Sequence, residues 1–201
     1  MALNAEAKDW EFLHHLAVWL RNRGQYRWAY RLHAFIDRQL ESGSELWIHN
    51  SFNWADVARR FNNRLHEAQG LVDRAVRAVD VKQNPVLWAA AMHHRARFWR
   101  NVGNYDLAEA DIDAAAGLLA SLRADGQPNR EELYVELDRA SILALRGRVD
   151  QARDSARQAY EWVREWRESH RHRLRSLQLK TFAAHPNWRI ARRAFRGRGA
   201  R

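Results

Sequence analysis

Ten histidines are the residues here best suited to metal or proton chemistry, and they include two adjacent pairs, His14–His15 and His93–His94. Neighbours on a helix point about 100° apart, so neither pair can clasp one ion. The His-x-x-x-His spacing that puts two rings on one helical face is absent. These histidines therefore read as ordinary helix-face residues, and no metal is expected. The chain has no cysteine, which excludes disulfide scaffolds, thiolate metal sites and cysteine nucleophiles. A second set is acidic: Asp106, Glu109, Asp111 and Asp113 crowd one short segment. Asp106 and Glu109 stand where a helix dipole favours anions. The cluster reads as a solvated face or as a contact for a cationic segment; paired carboxylate catalysis would require a cleft.

The strongest signal is charge. All 24 acidic residues lie at or before Glu168, so residues 1–168 are neutral and the net charge of +10 belongs to residues 169–201. That arm carries Arg171, Arg173, Arg175, Arg189, Arg192, Arg193 and Arg196. Trp188 and Phe195 share one helical face among the last of these. Arginine forks grip phosphate and stack on bases, and an acid-free basic segment attracts polyanions. Four readings of the arm stand: a solubilising tail, a nucleic-acid contact, an acidic-protein contact and a membrane-surface contact. Exposed tryptophan and arginine also anchor protein interfaces. Trp19, Trp28, Trp88 and Trp99 sit near core positions of their helices, whereas Trp47, Trp54, Trp162, Trp166 and Trp188 are less committed.

These residues must be positioned by helices. Nine glycines and three prolines are too few to turn an all-β chain of this length. Periodicity places helices near 5–22, 25–41, 53–69 with 71–81, 86–101, 105–122, 131–146 and 149–183. Over 53–81, a pair turning at Gly70 and one long helix running through it are equally compatible with the spacing. Three segments repeat one pattern, in which a helix ends at a glycine, an aromatic or valine follows two residues on, and alanine three further. The glycines are Gly24, Gly103 and Gly147, followed by Ala29, Ala108 and Ala152. Glycine supplies the positive φ of a tight turn, and alanine lets the next helix approach closely.

These segments, above all "NVGNYDLAEADIDAAAGLL" from Asn101, resemble the tetratricopeptide repeat. Gly103 to Gly147 is wider than the roughly 34-residue pitch of that repeat, which points to a longer loop at "ADGQPNR". The resemblance implies an all-α α-solenoid of three to four antiparallel helix pairs with a long C-terminal capping helix. It also implies a groove that receives a peptide or protein partner. On the groove-lining first helices the residues expected to face a partner are His93, Arg97, Arg100 and Arg139. No phosphate-binding loop, nucleophile elbow, dinucleotide fingerprint or helix-turn-helix signature occurs.

The expectation is a non-enzymatic interaction scaffold without cofactor, divided into a body over 1–168 and an arm over 169–201. The alternatives are a nucleic-acid-associated subunit, and an enzyme of unrecognised class or a structural subunit of an assembly. The first twenty residues lack a signal-peptide layout and no stretch reaches membrane-span length, which leads to a cytoplasmic expectation. Arginine outnumbers lysine 31 to 3, the usage of a GC-rich, bacterial genome.

Overall fold

The computed structural model describes residues 7–123 and 130–169. Among these there are eight helices and no strand. They follow in pairs: α1 (Ala7–Asn22) with α2 (Tyr26–Asp37), α3 (Glu45–Ala58) with α4 (Leu65–Arg77), α5 (Pro85–Asn101) with α6 (Tyr105–Ser121), and α7 (Arg130–Leu145) with α8 (Val149–Ser169). First helices begin at residues 7, 45, 85 and 130, a pitch of roughly 40 residues where a standard repeat has about 34. The chain forms two compact units, Met1–Phe98 and Trp99–Arg201, with the division falling inside α5.

Three of the within-pair turns are built alike. Gly24, Gly103 and Gly147 have φ of 75°, 85° and 77°. In each, the amide after the glycine reaches five residues back: Gln25 to Leu20 at 2.9 Å, Asn104 to Trp99 at 2.9 Å and Arg148 to Leu143 at 2.9 Å. This is the Schellman closure, which satisfies carbonyls at the helix end and needs the left-handed conformation that glycine adopts without cost.

The second pair departs from the sequence expectation in both of its forms. Gly70 neither turns the chain nor lies in a helix that began before Phe61; it sits inside α4, and the turn occupies residues 59–64. There the Phe61 amide donates to Ala58 O at 3.0 Å and the Arg64 amide to Phe61 O at 3.0 Å. The apolar spacing from Trp54 to Val79 runs on unbroken because both helices face the same core, so periodicity alone reads through the turn. The helix expected to start at residue 53 instead starts at Glu45. Gly43, at φ 88°, reverses the chain, and the Ser44 hydroxyl then accepts from the Trp47 amide as an N-cap.

Ile36, Ile48, Val57 and Val72 are fully buried in the first unit, and Ile112, Leu119, Val135 and Ile142 in the second. Each contributes about 1.5–3 kcal/mol by leaving water. Ala29 and Ala108 have no exposed surface and Ala152 is buried, which lets neighbouring helices close on one another. Two tryptophans read as core are not: Trp19 is 51% and Trp28 60% exposed. Trp47, read as uncommitted, is buried under the Arg74 guanidinium, 4.7 Å from its ring. Residues 170–201, and with them the expected helix end near 183 and every named arm residue from Arg171 to Arg196, lie outside the described residues, as does the loop at 124–129.

Candidate functional site

In the first unit, α1 and α3 lie side by side and their facing sides are polar. His14 and Arg21 project from α1, Asn50, Asn53 and Asp56 from α3, and His33 reaches them from α2. Asn50 Oδ1 accepts from His33 Nδ1 at 2.7 Å and from His14 Nδ1 at 3.4 Å, while Asn50 Nδ2 donates to the His33 carbonyl at 3.1 Å. Asn53 Nδ2 donates to His14 Nε2 at 3.4 Å and to the His49 carbonyl at 2.9 Å. Its Oδ1 accepts from Arg21 at 2.6 Å. The network fixes both rings as Nδ1–H tautomers.

Electrostatics follow from burial. His33 has no exposed surface and its Nε2 meets no hydrogen-bond partner. Desolvation, outweighing the Asn50 bond, lowers both His14 and His33 to about 4, so both are neutral at pH 7. Asp56 is pulled the other way. Burial alone would raise its carboxyl, but the Arg59 and Arg21 guanidiniums more than offset this and leave it below the usual range. Burial in turn lowers Arg21.

Beside this buried ladder runs an accessible margin. His15 and Asn22 are exposed on α1, His49 and Asp56 are half-exposed on α3, and so is Arg59 at its C-terminal cap. On α5, His94 stacks on Phe52 of α3 at 4.8 Å and 19° and lies 6.2 Å from His49. The first helices of this unit thus present imidazoles, amides, a carboxylate and guanidiniums over a fixed base. Such a surface can exchange hydrogen bonds with a peptide backbone and pair with its charges. Among the described residues, no group of three or more His, Asp or Glu is placed to hold a metal ion.

The four residues expected on the groove fall in different settings. Arg97, half-buried, acts electrostatically on Arg21 and Asp56 and so belongs to this margin. His93 is 4% exposed and stacks on His94. Arg100 and Arg139 belong to the second unit. Arg100 is ion-paired to buried Asp138, and Arg139 reaches Asp113 at 2.9 Å and Glu136 at 3.8 Å. The acidic cluster of α6 is met by arginines of this same chain: Arg146 binds Asp106 and Glu109, and Arg148 binds Glu109.

Sequence reasoning missed Asn50 because the segment before residue 53 reads as a connector, and Asn53 and Asp56 because nothing in their spacing places them against α1. The detectable signal is Ser44 followed by Glu45 in the first turn, with Trp47, Ser51 and Trp54 repeating the aromatic–small–aromatic order of a repeat's first helix.

No protein-family model matches this sequence, and no curated protein matches it. Solved structures do. The chain is similar to a kinesin light chain from Podosopora anserina with nearly identical TPR-like repeats, at 19% identity and a TM-score of 0.58, over 94% of this chain and 87% of that one. It is also similar to BtubC (BKLC) from P. vanneervenii, at 18% identity and a TM-score of 0.59, over 92% of this chain and 72% of that one. At such identities the likeness shows the fold, a tetratricopeptide-like helical repeat.

Proposed function

We propose that this chain, with a fold that generally serves to bind proteins, is a non-enzymatic adaptor that holds a peptide or protein partner on the first-helix margin of residues 7–98. The observation that carries the reading is the pairing of a rigid buried network, centred on Asn50, with accessible His15, Asn22, His49 and Asp56 directly beside it. A preorganised polar surface binds without the entropy cost of ordering its own side chains. Arg21 and Arg59 bias it toward segments bearing carboxylates, and Asp56 gives a register to a cation in the same segment.

The test is affinity capture from native lysate with the full chain, nuclease-treated, compared with His15→Glu/His49→Glu. Loss of a discrete captured protein in the variant, with helical content retained, supports the reading. Identical capture by both proteins removes it.

A second reading is favoured by one sequence fact, the confinement of the +10 net charge to residues 169–201. In it the arm engages a polyanion or an acidic protein while the repeats hold the partner. Retained nucleic acid on purification, removed by nuclease and absent after deletion of 185–201, would favour this nucleic-acid-associated role. Removing one arginine that grips a phosphate should reduce the log–log salt slope by about 0.9 on duplex.

A further inference from the structure

The first helix pair has two sides, and the described residues cover only one. On α1, His14 and Arg21 point to α3, where Asn50, Asn53 and Asp56 meet them. On α2, Tyr30, His33 and Asp37 point to α3 and α4, through Trp54, Phe61, Asn50, Glu67 and Arg74. Residues two positions earlier point nearly the opposite way, about 160° around the helix. There α1 carries Phe12 and Trp19, two turns apart, with half-buried Leu16 between them. In the same way α2 carries Trp28 and Phe35 with half-buried Leu32. Both stripes lie on the side of the pair turned away from α3, and Phe35 rests 6.0 Å from buried Trp10 of α1.

Phe12, Trp19 and Trp28 are 66%, 51% and 60% exposed. Three large aromatics open to water on one face of one helix pair are unusual for a protein surface.

Charge decides what covers it. At the Gly24 end stand Arg23, Arg27 and Arg31, all exposed. Arg23 lies 5.0 Å over Trp19 and Arg31 5.4 Å over Trp28, and none of the three has a carboxylate partner among the described residues. The opposite end of α1 carries the acid Glu11, which is exposed. The face is therefore apolar in the middle, basic at one end and acidic at the other. The chain's own arm, with ten cations and no acid, would set arginine against arginine.

We infer that the occupant is a second copy of this chain, docked through the same face about a two-fold axis. The two α1 helices then run antiparallel, Trp19 and Trp28 pack across the axis, and Glu11 of each copy meets Arg23 of the other. Such an isologous contact closes at two copies. It sets an α1–α2 pair against an α1–α2 pair, a surface of the same kind as the α3–α4 pair on the other side. On α1 exposed His15 lies beside Phe12 and Trp19, so the contact borders the partner-binding margin, but the variants that test it, at Glu11, Arg23, Trp19 and Trp28, leave His15 and His49 unchanged.

Sedimentation velocity of the nuclease-treated full chain over roughly 1–100 µM tests the inference, a range that spans ordinary homodimer affinities. The expected result is a dimer, with Trp19→Glu/Trp28→Glu weakening association by about 30-fold or more, as the loss of central aromatic anchors does. Both side chains are exposed, so at a concentration where wild type is monomeric the circular-dichroism melt of that variant should match it. Arg23→Glu should also weaken the dimer, and Arg23→Glu/Glu11→Arg should restore it, a readout that holds even if the tryptophan variant fails to fold. A monomer at every concentration overturns the inference, as does a dimer indifferent to both sets of variants. A monomer that binds a fluorescent single-stranded oligonucleotide through Trp19 and Trp28 overturns it in favour of base stacking.

Discussion

Asn50 and His33 bind each other twice: the His33 ring donates to the Asn50 side-chain oxygen at 2.7 Å, and the Asn50 amide donates to the His33 carbonyl at 3.1 Å. Both residues are fully buried, so neither can turn to water if the other is removed. Asn50→Ala should therefore cost about 2–4 kcal/mol, from orphaned polar groups rather than lost packing. Urea unfolding followed by circular dichroism measures it. A loss below about 1 kcal/mol would show that the network is not what holds α2 to α3.

The same network sets a pH dependence. His14 and His33 stand at about 4 in the fold against 6.5 for the free side chain. Between those values the unfolded chain binds more protons, so unfolding free energy falls as pH drops from 6.5 toward 4. Each histidine accounts for about 3 kcal/mol at the acid end. Over pH 5.0–6.5, where carboxylates hardly titrate, the urea midpoint of wild type should fall more steeply than that of His33→Gln. Parallel slopes would contradict the assignment.

In the second unit the ion pair between Arg100 and Asp138 is nearly inaccessible, with side chains 9% and 2% exposed. Asp138→Ala leaves a buried guanidinium without its carboxylate and should cost about 3–5 kcal/mol. Arg100→Met/Asp138→Leu should recover much of that loss, because apolar side chains need no partner. Thermal unfolding of the three proteins separates the pair's value from the penalty of breaking it.

Gly103 and Gly70 should respond oppositely to alanine. At Gly103, φ is 85° and a Cβ would meet nothing within 4 Å, so the cost is conformational alone, about 1–2 kcal/mol. At Gly70, exposed inside α4 and equally open, alanine should stabilise by about 0.5–1 kcal/mol. Paired denaturant melts decide it, and the same sign at both positions would refute the turn assignment.

Legibility in the sequence followed the physics of each element. Gly24, Gly103 and Gly147 were readable because a left-handed turn demands a glycine, and alanine five positions on because close helices demand a small side chain. The 59–64 turn was not, since no glycine marks it and the apolar period continues across it. Asn50 and Asn53 stayed hidden because a polar residue inside a helix is indistinguishable in sequence from one on its surface; only the neighbouring α1 and α2 make it buried. Trp19 and Trp28 failed for the converse reason: they occupy apolar stripes, but of a face that no described helix covers. Arg100 and Arg139 could be placed on first helices, yet Asp138 and Asp113, which pair with them, lie on other helices.

The partner-binding margin is tested most directly by one titration. A protein captured by the nuclease-treated full chain, purified, is titrated by calorimetry against wild type and His15→Glu/His49→Glu. The variant should bind at least about tenfold more weakly, a loss of about 1.4 kcal/mol, with its thermal melt unchanged. Equal affinity for the two proteins would contradict it and move the partner site off the first helices of residues 7–98.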